Sequence, residues 1–100
     1  LALTESTYYV RRALCRPQHG YGIMQQTEQL SGGRVRLAAG TLYGALNALC
    51  EKGWISPLSM DSGSRKKEYQ LTPSGFEVLK RELARLEELV TNGRNILQEE

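Results

Sequence analysis

"GTLYGALNALCEKGWI", residues 40–55, carries two different faces. Leu42, Leu46 and Leu49 recur at i, i+4 and i+7 with Ala45 beside them, the stripe of a helix that rests on a core. Gly40, Tyr43, Gly44, Asn47 and Glu51 line the other side. A solvated helix face normally carries Lys and Glu, and a glycine inside a helix costs roughly 1 kcal/mol relative to alanine. A face stripped of bulk, with one phenol and one amide on it, suits a close approach by another molecule.

Working outward, Gly53 is the expected stop of this helix, which the pattern runs from about Ala39 to Lys52. "WISPLSM" (54–60) and "KKEYQL" (66–71) are short β-like runs around "DSGSR" (61–65), a hairpin in which Pro57 is tolerated on an edge strand. Upstream, "RVRLAAG" (34–40) alternates, and Val35 and Leu37 are expected to form a strand stub. A helix from about Tyr21 to Leu30 precedes it, with Ile23, Met24, Thr27 and Leu30 inward and Ser31-Gly32-Gly33 as its end. The first helix runs from the N-cap Thr4 to about Arg16, with Tyr9, Val10, Ala13 and Leu14 as its apolar side. Pro17, Gly20 and Gly22 break it from the second.

The last helix opens at Thr72-Pro73, with Thr72 as cap and Pro73 in the first helical position. Phe76, Leu83, Val90 and Leu97 are spaced by seven, and Leu79 and Leu86 interleave, an a/d heptad pattern flanked by Lys80 and Glu87 at e and Glu82 at g. So small a domain cannot cover all of that seam, so its outer half is expected to pair with a second copy, with Tyr8 and Tyr9 of the first helix meeting the partner's last helix.

The 100 residues, 40% hydrophobic and 24% charged, describe one globular domain. No window holds enough apolar residues to span a membrane. The opening "LALTESTYYVRRAL" mixes charge into its apolar run and lacks a small-residue cleavage site, so it does not read as a secretory signal. Two cysteines, Cys15 and Cys50, lie in helical patterns and are expected to be reduced thiols in a cytoplasmic protein. A single histidine gives no metal-ligand cluster, and His19 has no nucleophile or orienting carboxylate beside it, so neither metal, cofactor nor enzymatic chemistry is expected. Residues 1–71 carry nine Lys/Arg against five acids and residues 72–100 four against six, a basic front and an acidic tail that point to an anionic partner for the front.

The fold class follows as mainly α with a small β-hairpin: two helices, a stub, a third helix and a hairpin make a winged helix-turn-helix over residues 1–71, with a dimerisation helix over 72–100 in one compact unit. The third helix is then the DNA reader and the hairpin the wing. Gly40 and Gly44 permit close approach to a major groove, Tyr43 is placed to donate to a phosphate, and Asn47 to present its amide to an adenine edge. Thr41 adds a hydroxyl at the helix start. Arg65, Lys66 and Lys67 at the wing tip, Arg34 and Arg36 ahead of the reading helix, and His19 and Tyr21 at the preceding turn complete the expected phosphate contacts.

Three separated motifs carry a resemblance. His19-Gly20-Tyr21, Gly40-Thr41-Leu42-Tyr43 and Tyr69-Gln70-Leu71-Thr72 through Gly75 occur in the order seen in the PadR family of bacterial transcriptional regulators, which the chain resembles over roughly residues 3 to 90. That resemblance implies a homodimeric winged-helix repressor on palindromic operators, often released by a small effector. With one helix after the wing, the chain is similar to the short members of the family. Some of those hold flat aromatic drugs between subunits with a Trp on the last helix; here the only Trp is Trp54 and no aromatic follows Phe76. The rival reading is a winged helix that binds another protein through its tail and no DNA.

Overall fold

The computed structural model describes residues 4–58 and 67–98. The elements in chain order are α1 (Glu5–Ala13), β1 (Gln18–His19), α2 (Gly20–Leu30), α3 (Ala39–Glu51), β2 (Ile55–Pro57), β3 (Glu68–Leu71) and α4 (Pro73–Gln98). The expected hairpin turn, with Arg65 and Lys66, lies outside the described residues.

Local chemistry sets most boundaries. The Thr4 hydroxyl caps α1 by accepting from the Thr7 N–H at 3.2 Å. The helix ends at Ala13, earlier than the pattern predicts, because Pro17 follows and keeps its predecessor out of the helical region. Gly53 stops α3 at φ +74, with its N–H bonding Cys50 O and that of Trp54 bonding Leu49 O, the pattern of a glycine-ended helix. The Thr72 hydroxyl accepts from Gly75 N–H and so opens α4 as expected.

Three strands form one antiparallel sheet in the order β1-β3-β2. Ile55 pairs with Leu71 and Pro57 with Tyr69 on one side of β3, while Gln18 pairs with Tyr69 and His19 with Glu68 on the other. Pro57 therefore sits on an edge strand, where a missing N–H is harmless. The third strand is not the expected one. Gln18–His19 occupies the free edge of β3, and the Val35–Leu37 segment is a loop instead. There the Ser31 hydroxyl accepts from Val35 N–H at 2.9 Å and Leu37 drops into the core.

The core gathers Val10, Ala13 and Leu14 of the first helix, Ile23, Leu37, the α3 stripe Leu42, Leu46 and Leu49, and Ile55, Tyr69 and Leu71 of the sheet. Thr27 is buried within it, its hydroxyl satisfied by Ile23 O at 2.9 Å. Leu30, expected inward, is exposed. Cys15 and Cys50 are free thiols, half-buried against the core.

The molecule is elongated, 60 × 29 × 19 Å, with a radius of gyration of 15.5 Å where a compact chain of this length has about 13 Å. The cause is α4, whose 26 residues span about 39 Å. Phe76 and Leu79 pack against the core, whereas residues 87–98 are exposed along their whole length.

Candidate nucleic-acid interface

Helix α3 divides as its spacing predicts. Leu42 and Leu46 are fully buried and Leu49 nearly so, which turns Gly40, Thr41, Tyr43, Gly44, Asn47 and Glu51 out to the surface. The helix is capped by Ala38 with no side-chain hydrogen bond, so Thr41 stands in the first turn with its hydroxyl free of the capping role. A Cβ added at Gly40 or Gly44 would meet no atom within 4 Å. The chain itself therefore sets no steric demand for glycine at either position.

Tyr43 is anchored differently from Asn47. A Cβ at Gly20 would lie 2.7 Å from Tyr43 Oη and 3.2 Å from its Cζ, so the phenol lies back across the start of α2. His19 caps that helix, its Nδ1 accepting from Gly22 N–H at 3.1 Å, which leaves the proton of a neutral ring on Nε2. Tyr21, 61% exposed, stands beside it. Tyr43, His19 and Tyr21 are thus brought together at the N-terminal turn of α2, where unpaired backbone N–H groups and the helix dipole favour an anion. Asn47, one turn beyond Tyr43 on α3, is the residue left to face outward on the helix itself.

The cations are more scattered. Arg34 is ion-paired with Glu5, and Arg36 Nε lies 3.0 Å from Glu28 Oε1, both on the surface. The hydrogen bond from Arg34 holds the Glu5 carboxyl below the usual carboxylate range and raises the guanidinium. These pairs tie the loop before α3 to α1 and α2 and mask part of the charge of both arginines. Lys67 is exposed at the foot of the wing, with its Nζ 5.6 Å from the centroid of the Tyr69 ring.

The second expected surface lies on α4. Leu83, Val90 and Leu97 are exposed, Leu97 to 70%, and Leu86 is half-buried. Phe76 and Leu79, at the inner end of the same seam, are used on the chain's own core. Tyr8 and Tyr9 are half-buried and pack edge to face, 6.2 Å between centroids. Leu89 and Ile96, absent from the a/d pattern, widen the apolar surface, since both fall at g positions. Among the described residues no cluster of acids, cysteines or histidine is placed to hold a metal, and no helix is long and apolar enough to cross a membrane.

Sequence reasoning missed Arg11 and Glu82. Both are buried, Arg11 completely. The signal for Arg11 was available: it lies three residues before Leu14, inside the apolar stripe of α1.

Comparison with known proteins matches this architecture. The model of the transcriptional regulator PadR-like family fits residues 13–81. The chain belongs to that family. Its members are transcriptional regulators rather than enzymes, and the winged-helix fold read from the sequence is that of its structural neighbours. A transcriptional regulator from Clostridium thermocellum superposes with a TM-score of 0.77 over 90% of this chain and 86% of that one, at 22% identity. A PadR family transcriptional regulator from Eggerthella lenta gives 0.73 over 91% and 80%, at 25% identity. In sequence, an uncharacterized 37.1 kDa protein in a transposon of Streptomyces fradiae is 46% identical over 66 residues, 66% of this chain and 18% of the relative. The chain thus spans less than a fifth of that curated relative.

Two of the three motifs of this PadR-like chain meet in space, and the third packs just past the end of α3. Gly20 of the first lies under Tyr43 of the second. Gly75 of the third packs on the carbonyl of Trp54, directly after the stop of α3, with no room for a side chain between them.

Proposed function

We propose that the chain is a sequence-specific, DNA-binding repressor acting in the cytoplasm as a homodimer on an inverted-repeat operator. The observation that carries this reading is the outer face of α3. Gly44, inside the helix, costs roughly 1 kcal/mol of helix stability relative to alanine, yet an added Cβ there or at Gly40 would touch nothing in the chain. The demand for a bare face comes from outside, and a major groove about 12 Å wide is such a demand.

In this reading Asn47 reads a base edge. Tyr43, Tyr21 and His19 hold phosphate near the N-terminus of α2 and Thr41 at the start of α3, Lys67 with Arg65 and Lys66 holds it at the wing, and Arg34 and Arg36 add a weaker contribution tempered by their ion pairs. The apolar outer half of α4 pairs with its copy, with Tyr8 and Tyr9 at the edge of that contact. Residues 1–71 then act as the DNA-binding head and 72–100 as the pairing helix of one unit. Two reading helices about 34–36 Å apart engage successive major grooves. A small effector held between subunits would act by favouring an angle at which the two heads no longer fit.

Selection of bound sites from a random DNA library tests the reading directly. The expected product is one inverted repeat with a fixed half-site separation; a pool that never departs from random sequence would overturn it. In sedimentation, replacing Leu83 and Leu86 together by Asp is expected to yield monomers, and a dimer that survives would remove α4 from the pairing surface.

A further inference from the structure

Neither the core nor the reading face accounts for one buried cation. Arg11 has no exposed surface, and none of its three guanidinium nitrogens finds a hydrogen-bond partner among the described residues. An interior charge left in this state is costly, and an apolar side chain of the same volume is commonly at least as stable. Packing alone therefore gives no reason for arginine.

Its neighbours supply one. Arg11 Cζ lies 5.5 Å from the centroid of Trp54, and Lys52 Nζ lies 4.7 Å from the same ring. Glu82 of α4 is buried as well, accepting from Arg85 Nε at 2.7 Å. Burial pushes the Arg11 pKa down from its ordinary value, and the charge of Glu82, then Tyr8, pulls it back. Trp54 is also the first residue past the stop of α3. Its carbonyl accepts from Thr72 N–H at 2.9 Å, and the Thr72 hydroxyl donates to Gly53 O at 2.7 Å. Arg11 of α1 thus bears on the residue whose backbone joins the exit of α3 to the start of α4.

We propose that Arg11 is a positioning residue: bearing on Trp54, whose carbonyl holds the start of α4, and drawn by the buried charge of Glu82 on that helix, it sets the angle between α3 and α4 and so the operator spacing the dimer accepts. This rests on the homodimeric DNA-binding reading above. A guanidinium over a ring face in a dry site is held there by its charge, which an apolar side chain is not. The angle matters because α4 is a lever. Over about 39 Å, a tilt of about 5° moves the far end by about 3.4 Å, the rise of one base pair.

The test uses the whole chain and a ladder of inverted repeats built from its selected operator, with the half-site separation changed in single base-pair steps. Wild type is expected to favour one separation by roughly tenfold over its neighbours, a coupling of ordinary size. Arg11→Met is expected to keep its unfolding midpoint and its affinity for an isolated half-site while levelling the ladder to within about twofold. Glu82→Gln is expected to level it too, and Arg11→Lys to restore part of the preference by keeping the charge without the planar fork. Met and Gln variants that retain the wild-type ladder would overturn the proposal. So would a uniform loss at every separation, which marks a merely structural role. Should Arg11→Met not fold, Glu82→Gln decides. A wild-type ladder that is level from the start would instead strike the dimeric reading itself, and the proposal with it.

Discussion

Gly20 and Gly75 stand where the chain leaves no room, and Gly40 and Gly44 where it leaves all of it. At Gly75 an added Cβ would run into the Trp54 carbonyl, which is backbone and cannot move aside. At Gly20 it would press on the Tyr43 phenol, 2.7 Å away. Gly75 is required by the fold, because only glycine lets the start of α4 close on the Trp54 backbone, whereas at Gly20 the phenol must shift to admit a side chain. At Gly40 and Gly44 the same test meets nothing within 4 Å. One residue type thus stands in two different settings, packed within the chain and open to its outside, and the proposed function assigns the second to clearance for DNA.

The comparison breaks most readily at Gly75. Gly75→Ala is expected to lose about 3 kcal/mol of stability in urea unfolding, the upper end for overpacking because backbone is the obstacle. An unchanged midpoint would mean that the start of α4 is not pinned to Trp54. Next in size is Asn47→Ala, expected to weaken the selected operator by about 2 kcal/mol while sparing random DNA. Equal losses on both would make Asn47 a backbone contact. Gly44→Ala sharpens the contrast: stability should rise by about 1 kcal/mol as operator affinity falls. A variant that lost both would join Gly44 to Gly75.

The smallest effect belongs to the surface pair of Glu5 and Arg34. The Glu5 pKa is lowered in the folded chain, so the pair's stabilisation is present above the ordinary carboxylate range and is lost as pH falls through the folded value. Both groups are exposed to solvent, which screens the pair. Glu5→Gln is expected to leave the unfolding midpoint at neutral pH almost unmoved and to make its decline in acid shallower. A large change at neutral pH would show that the loop before α3 depends on this pair.

Much of the fold was legible because the signals are local. The Leu42, Leu46, Leu49 stripe, the Thr4 and Thr72 caps, and the stop at Gly53 each depend on residues within about a turn of one another. The outward face of α3 followed directly from that stripe, and with it the positions of Tyr43, Gly44 and Asn47. The strand stub was misplaced for the opposite reason. Alternation at Val35 and Leu37 is a pattern any short loop can show, whereas Gln18–His19 has no pattern at all and is a strand only because β3 offers it an edge. The site was less legible than the helix that bears it: nothing in the spacing told that Tyr43 lies back over Gly20, or that Arg34 and Arg36 are engaged by Glu5 and Glu28.

The sequence by itself determined the helices, most of their ends, and which side of α3 turns away from the core, since periodicity and capping act over a few residues. Tertiary structure decided which segments meet. It set Gln18–His19 beside β3, buried Arg11 of α1 and Glu82 of α4, and used Phe76 and Leu79 on the core while leaving Leu83, Val90 and Leu97 uncovered. The physical reason is that burial and pairing are properties of two surfaces at once, and a stripe along one helix records only its own half.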